Sequence, residues 1–194
     1  MDAGSTGSAP ARRSRMAADR AVFVDRDGVL TRTVLRHGRW VSPASLDEFE
    51  VYPDAAPALD ALRGAGYRLV VVTNQPDVAR GGLSRECLEA MHTRLRHSCP
   101  LDEIRVCGHD DGQCGCRKPQ PGLLLGDPTI DVARSFIIGD TWRDIEAGRN
   151  AGCSTVLLDR GHAEPGPCQP DVTVRSMAEA AAWILEAGGL ARGR

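Results

Sequence analysis

Two carboxylates stand one residue apart in Asp25-Arg26-Asp27-Gly28, at the end of the apolar run Ala21-Val22-Phe23-Val24. That run is short and β-branched at two positions, which reads as a buried parallel strand. Alternate side chains of an extended strand share a face, so Asp25 and Asp27 are expected to project together from its carboxyl end. Open α/β sheets place their ligands there. Acids this close repel each other unless a cation or a shared proton compensates. Further along, Thr73 and Asp140 end two other apolar runs, and Lys118 lies on a loop between them. Neighbouring parallel strands would carry all of these groups to one rim of a sheet. Three acids, one hydroxyl and one ammonium suit phosphoryl transfer through an aspartyl phosphate. A carboxylate attacks phosphorus in line, a divalent cation neutralises the phosphoryl oxygens, and a second acid handles the leaving group's proton. Acids held this densely favour Mg²⁺.

A second cluster is Cys107-x-His109-x4-Cys114-x-Cys116. Three thiolates and an imidazole complete a tetrahedral shell for Zn²⁺, with no position left open, so the expected site is structural and pins a loop that lacks apolar residues. Seven cysteines in a chain without an export signal argue against a disulfide framework.

The elements that must position these groups alternate. After the first strand, residues 29–52 are expected to form a loop or hairpin over the strand end. A helix opening at Pro53 runs to about Ala65 with an apolar stripe of Ala55, Ala58, Leu59 and Leu62. Arg68 to Gln75 reads as the second strand. Ser84 caps a helix to about His97 whose core face is Leu88, Met91 and Leu95. Strands follow at Asp102 to Cys107, Ser135 to Asp140, Ser154 to Leu158 and Asp171 to Val174. Helices are expected at Gly122 to Leu125, Trp142 to Ala151 and Ser176 to Ala187. The pattern predicts a three-layer α/β/α sandwich around a mostly parallel, Rossmann-like sheet, with no large cap domain and with a zinc-stapled loop. Residues 19–190 form one domain in this reading, preceded by a flexible arm over residues 1–18.

Net charge is −2 in 194 residues, which gives no reason to expect nucleic acid as a partner. No apolar run reaches the ~20 residues of a membrane helix, and a cytoplasmic monomer acting on a small molecule is expected. The 24 basic residues include one lysine, Lys118.

Asp25-x-Asp27-Gly28, Thr73, Lys118 and Gly139-Asp140-x3-Asp144 resemble, in order, the four motifs of the haloacid dehalogenase superfamily of phosphatases. The resemblance spans about residue 20 to 187. It implies Asp25 as nucleophile, Asp27 as general acid and then base, and Mg²⁺ held by Asp25, Asp140 and the main-chain carbonyl of Asp27. It implies that Thr73 and Lys118 bind phosphoryl oxygens and that Asp144 orients the metal shell. Cys-x-His followed by Cys-x-Cys-Arg-Lys-Pro is similar to the branch holding heptose bisphosphate and histidinol-phosphate phosphatases. Val78-Ala79-Arg80-Gly81 leans to the heptose enzymes, and the four residues between His109 and Cys114 lean to the histidinol ones. Pro76-Asp77 departs from the family's common Ser-Gly. The expected substrate is a phosphorylated sugar, heptose bisphosphate ahead of histidinol phosphate, with Asn74, Arg117 and Arg80 as candidate contacts. Arg117 is the leading candidate for a second phosphate, while Arg80 is equally consistent with a solvated surface residue. A catalytically idle, zinc-stapled binding module is the alternative from another class.

Overall fold

A computed structural model of the chain describes residues 19–190, apart from 113, 165 and 168. The expected arm over residues 1–18 lies outside the described residues. Six parallel strands form one sheet in the order β5-β4-β1-β6-β7-β8. They are β1 (Arg20–Val24), β4 (Tyr67–Asn74), β5 (Glu103–Cys107), β6 (Phe136–Gly139), β7 (Ser154–Leu158) and β8 (Val172–Val174). A hairpin of β2 (Val34–Arg36) and β3 (Arg39–Val41) stands apart. Helices α1 (Ala55–Gly64), α2 (Arg85–Ser98), α3 (Trp142–Ala151) and α4 (Met177–Leu190) complete the chain.

Strand alternation builds two cores. Val22, Val24, Leu69 and Val71 face one way and join the apolar stripes of α1, α2 and α4. Ala21, Phe23, Val70, Val72 and Ile137 face the other way and join Ala147 of α3 with Leu123 and Leu124. The anticipated stripe of α1 is buried as read, and Ser84 caps α2 by accepting from the Cys87 backbone N–H at 3.1 Å. The helix expected at Gly122 to Leu125 is instead a single 3₁₀ turn, Pro121–Leu123. Gly126-Asp127-Pro128 follows too soon for a longer one.

Winding reverses at β1: the chain proceeds outward through β4 and β5, then returns to β6 and continues through β7 and β8. Carboxyl ends of β1 and β6 therefore flank a topological switch point, the preferred ligand site of such sheets. Pairing of β1 with β6 extends one residue past the strand, since the Asp25 N–H donates to the Ile138 carbonyl at 2.9 Å. This fixes Asp25 beside the end of β6. No helix of the described residues is long and apolar enough to cross a membrane.

Candidate active site

Asp25, Asp27, Thr73, Lys118, Asp140 and Asp144 meet at this switch point. Lys118 Nζ is buried and donates to Asp25 Oδ1 at 2.9 Å, to Asp144 Oδ1 at 2.5 Å and to the Val72 carbonyl at 2.8 Å. All three ammonium protons are thus used. The Asn74 side chain clamps the lysine's backbone on both sides, donating to its carbonyl at 3.0 Å and accepting from its N–H at 3.1 Å. Asn74, read from sequence as a substrate contact, is thereby tied to Lys118 while still lining the adjoining cavity. Asp144 caps α3 through the Thr141 N–H and hydroxyl and gives its other oxygen to Lys118. Its carboxylate is engaged in placing the lysine and the turn after β6.

Oxygens of Asp25, Asp140 and Asp144 lie within 4.8 Å of one another. Burial raises the Asp25 pKa to about 7 despite the attraction of Lys118, with Asp144 and Asp27 adding to the rise. Burial also lifts Asp140 well above the usual carboxylate range, reinforced by the charges of Asp25 and Asp144. Asp140 Oδ1 is buried without a hydrogen-bond partner. An all-oxygen donor set with an orphaned acceptor fits a hard divalent cation. Two glycines make room for it. Gly28 sits at φ +83°, and a Cβ there would meet Asp140 Oδ2 at 1.9 Å. A Cβ on Gly139 would meet the Asp144 Cβ at 2.0 Å.

Asp27 is held differently. Burial would raise its pKa, but the Arg26 guanidinium and further hydrogen bonds hold it below the ordinary value. Its Oδ1 accepts from Arg26 Nε at 2.9 Å and Thr31 Oγ1 at 3.0 Å, and its Oδ2 accepts from Arg26 Nη2 at 2.8 Å and Gln75 Nε2 at 2.9 Å. Gln75 also donates to Thr73 Oγ1 at 2.8 Å. Sequence reasoning passed over Arg26 and Gln75. The i, i+2 spacing of Thr73 and Gln75 at a strand end carried the signal for the second.

A cavity of about 770 Å³ opens above these groups. Asp25, Asp27, Thr73 and Asp140 lie at its base, and Arg39, Trp40, Arg117, Arg143 and His162 contribute to its walls. Trp40 from the hairpin and His162 from the β7–β8 loop meet with ring centroids 4.9 Å apart. Arg117 pairs with Asp111 and Arg143 with Glu164, whereas Arg39 has no ion pair among the described residues. Arg80 is turned away: it pairs with Asp110 and Asp77 and is not among the cavity's lining residues.

On the loop before Lys118, Cys107 Sγ lies 3.6 Å from His109 Nδ1 and 3.5 Å from Cys114 Sγ. Cys116 Sγ lies 3.5 Å from the same nitrogen and 3.2 Å from Cys114 Sγ. Tetrahedral zinc with ordinary bond lengths implies S···N near ~3.5 Å and S···S near ~3.8 Å, so the four ligand atoms fit such a shell with slight contraction. Burial raises the Cys114 pKa, but hydrogen bonds from the Cys116 thiol and the backbone N–H groups of Arg117 and Cys116 together outweigh it and bring Cys114 down to about 6, which favours a thiolate.

A HAD-hydrolase-like family model matches residues 115–180. Fold, motifs and matched model together define a phosphoric monoester hydrolase of the haloacid dehalogenase class. A D-glycero-β-D-manno-heptose-1,7-bisphosphate 7-phosphatase of Pseudomonas aeruginosa is 37% identical over 150 residues, covering 72% of this chain and 81% of that protein. The D-glycero-α-D-manno-heptose counterpart of Mycobacterium tuberculosis is 36% identical over 154 residues, covering 72% and 79%. The crystal structure of a D,D-heptose 1,7-bisphosphate phosphatase from B. bronchiseptica, complexed with magnesium and phosphate, superposes with a TM-score of 0.75 at 28% identity. It covers 87% of this chain and 99% of that one. The chain belongs to the family of heptose-1,7-bisphosphate 7-phosphatases.

Proposed function

We propose that the chain removes the 7-phosphate of D-glycero-D-manno-heptose 1,7-bisphosphate through a phosphorylated Asp25. The observation that carries this reading is the buried Asp25–Lys118–Asp144 array beside Asp140, at the base of a cavity whose far walls bear arginines. Asp25 attacks phosphorus, the phosphorus–oxygen bond to the sugar breaks, and Asp27 gives the departing oxygen its proton. Asp27 then takes a proton from water as that water attacks the phosphoaspartate, releasing inorganic phosphate and restoring Asp25. The low pKa of Asp27 suits the second step. For the first, an anionic phosphoryl group entering beside it favours the protonated form. Thr73 Oγ1 accepts from Gln75, which leaves its proton for a phosphoryl oxygen.

Asp25, Asp140 and the main-chain carbonyl of Asp27 would hold Mg²⁺, which when bound offsets the negative charge of the phosphoryl oxygens. Cys107, His109, Cys114 and Cys116 would hold a structural Zn²⁺. The distal phosphate falls to Arg117 and Arg39, the first carried by the cysteine loop and the second without an acidic partner.

The test compares kcat/KM for both heptose bisphosphate anomers with that for histidinol phosphate, in Mg²⁺. At least a tenfold preference for one heptose anomer is expected, with Asp25→Asn inactive on both substrate types. Faster turnover of histidinol phosphate would refute the substrate, and an active Asp25→Asn would refute the mechanism.

A further inference from the structure

Arg26 stands between the two acids of the first motif and heads the fully buried side chains by volume among the described residues. A buried guanidinium costs several kcal/mol unless its charge and donors are met. Two of its nitrogens fork onto Asp27, and its Cζ lies 5.5 Å from the ring centroid of Phe49. Its third nitrogen, Nη1, faces His92 Nε2 at 3.3 Å. His92 lies on α2 and is 1% exposed. Arginine can only donate, so His92 Nε2 accepts and the ring proton sits on Nδ1. Burial, together with the charge of Arg26, lowers the His92 pKa to about 4, which keeps the ring neutral and able to accept. Nothing in the proposed chemistry uses this histidine.

We infer that His92 is a positioning residue for the hydrolysis: by accepting from Arg26 Nη1 it sets the plane of the guanidinium, and that fork sets the plane of the Asp27 carboxylate. The inference rests on Asp27 as the group that protonates the leaving oxygen. A carboxylate gripped in two parallel hydrogen bonds takes its orientation from the fork. The fork takes its own orientation in part from its far end, where Nη1 meets His92 Nε2. Misplacement by about 1 Å at such a group costs up to ~10²-fold in rate.

Leaving groups separate this role from a general loss of structure. An alkoxide from a sugar phosphate needs a proton, whereas p-nitrophenolate departs without one. Moreover, kcat/KM reports only the steps through departure. His92→Leu is expected to lower kcat/KM on the sugar phosphate about tenfold or more and to leave p-nitrophenyl phosphate within about twofold. His92→Gln, which restores an acceptor near the Nε2 position, is expected to recover most of the loss. Equal losses on both substrates, or a Gln variant no better than Leu, would overturn the inference. Asp27→Asn is the control for the parent reading: a loss clearly larger on the sugar phosphate than on p-nitrophenyl phosphate supports it. If Asp27→Asn shows no such selectivity, the acid role itself fails and the inference falls with it, whatever the His92 variants do.

Discussion

Lys118→Arg conserves charge at the only lysine of the chain, and it isolates geometry from electrostatics. The ammonium directs three N–H bonds to Asp25, Asp144 and the Val72 carbonyl, and the residue is 2% exposed. Burial opposes the charge, yet the two carboxylates hold the lysine above its ordinary pKa, so it is the standing counter-charge of the site. A guanidinium is a wide planar fork, and it cannot replace a compact tripod without displacing one acceptor. Lys118→Ala leaves the carboxylates of Asp25 and Asp144 without that partner. Breaking a buried pair in this way costs about 3–5 kcal/mol, which for a domain of this size lowers Tm by roughly 6–20 °C. Lys118→Arg is expected to keep more of that stability but to lose at least about tenfold in kcat, or ~1.4 kcal/mol of barrier. The assay is steady-state phosphate release with saturating Mg²⁺, paired with thermal melts. Arg117→Lys serves as the charge-conserving control at an adjacent cation and is expected to change kcat little. A Lys118→Arg enzyme retaining more than about a tenth of wild-type kcat would show that charge suffices and that the tripod argument is wrong.

Cys114→Ser is expected to abolish stoichiometric zinc, to lower Tm and to raise KM, because the loop that carries Arg117 and Lys118 loses its staple; metal analysis giving an unchanged zinc content would sink this. A second expectation concerns acid titration. Asp25, lifted to about 7, and Asp140, also raised, keep protons in the metal-free folded state where unfolded carboxyls have lost theirs, so their contribution to stability is present at low pH and is lost as pH rises through the folded values. Mg²⁺ requires the ionised acids, so its gain in Tm is expected to be larger near about pH 8 than near about pH 6. Melting curves with and without Mg²⁺ that show equal gains would refute it.

Strand ends were the most legible part of the chain, because a continuous apolar run closed by polar residues identifies both a buried parallel strand and its functional end. Trp142–Ala151 and Ser154–Leu158 have the expected bounds, since a capping threonine and Gly152 at φ +86° delimit the helix. Contacts between loops were not legible. The closure of Trp40 on His162 joins residues far apart in sequence, and no periodicity encodes it. Arg80 lies in a suggestive motif, but its neighbour in space is Asp110, on the far side of two elements. Arg26 was hidden by its position, because a residue between two acids looks like a spacer until its side chain is seen buried between Asp27 and His92.

The burial of Lys118 also determines what the outer surface offers. All the other positions that carry a permanent positive side chain are arginines, and the sole ε-amine lies under Asp25. Acetyl groups, ubiquitin and amine-directed cross-linkers need an accessible primary amine, and in the folded protein no lysine supplies one. Control of this enzyme by lysine modification would require the site to open first, so a chemistry that regulates many proteins from outside has no lysine handle on this fold.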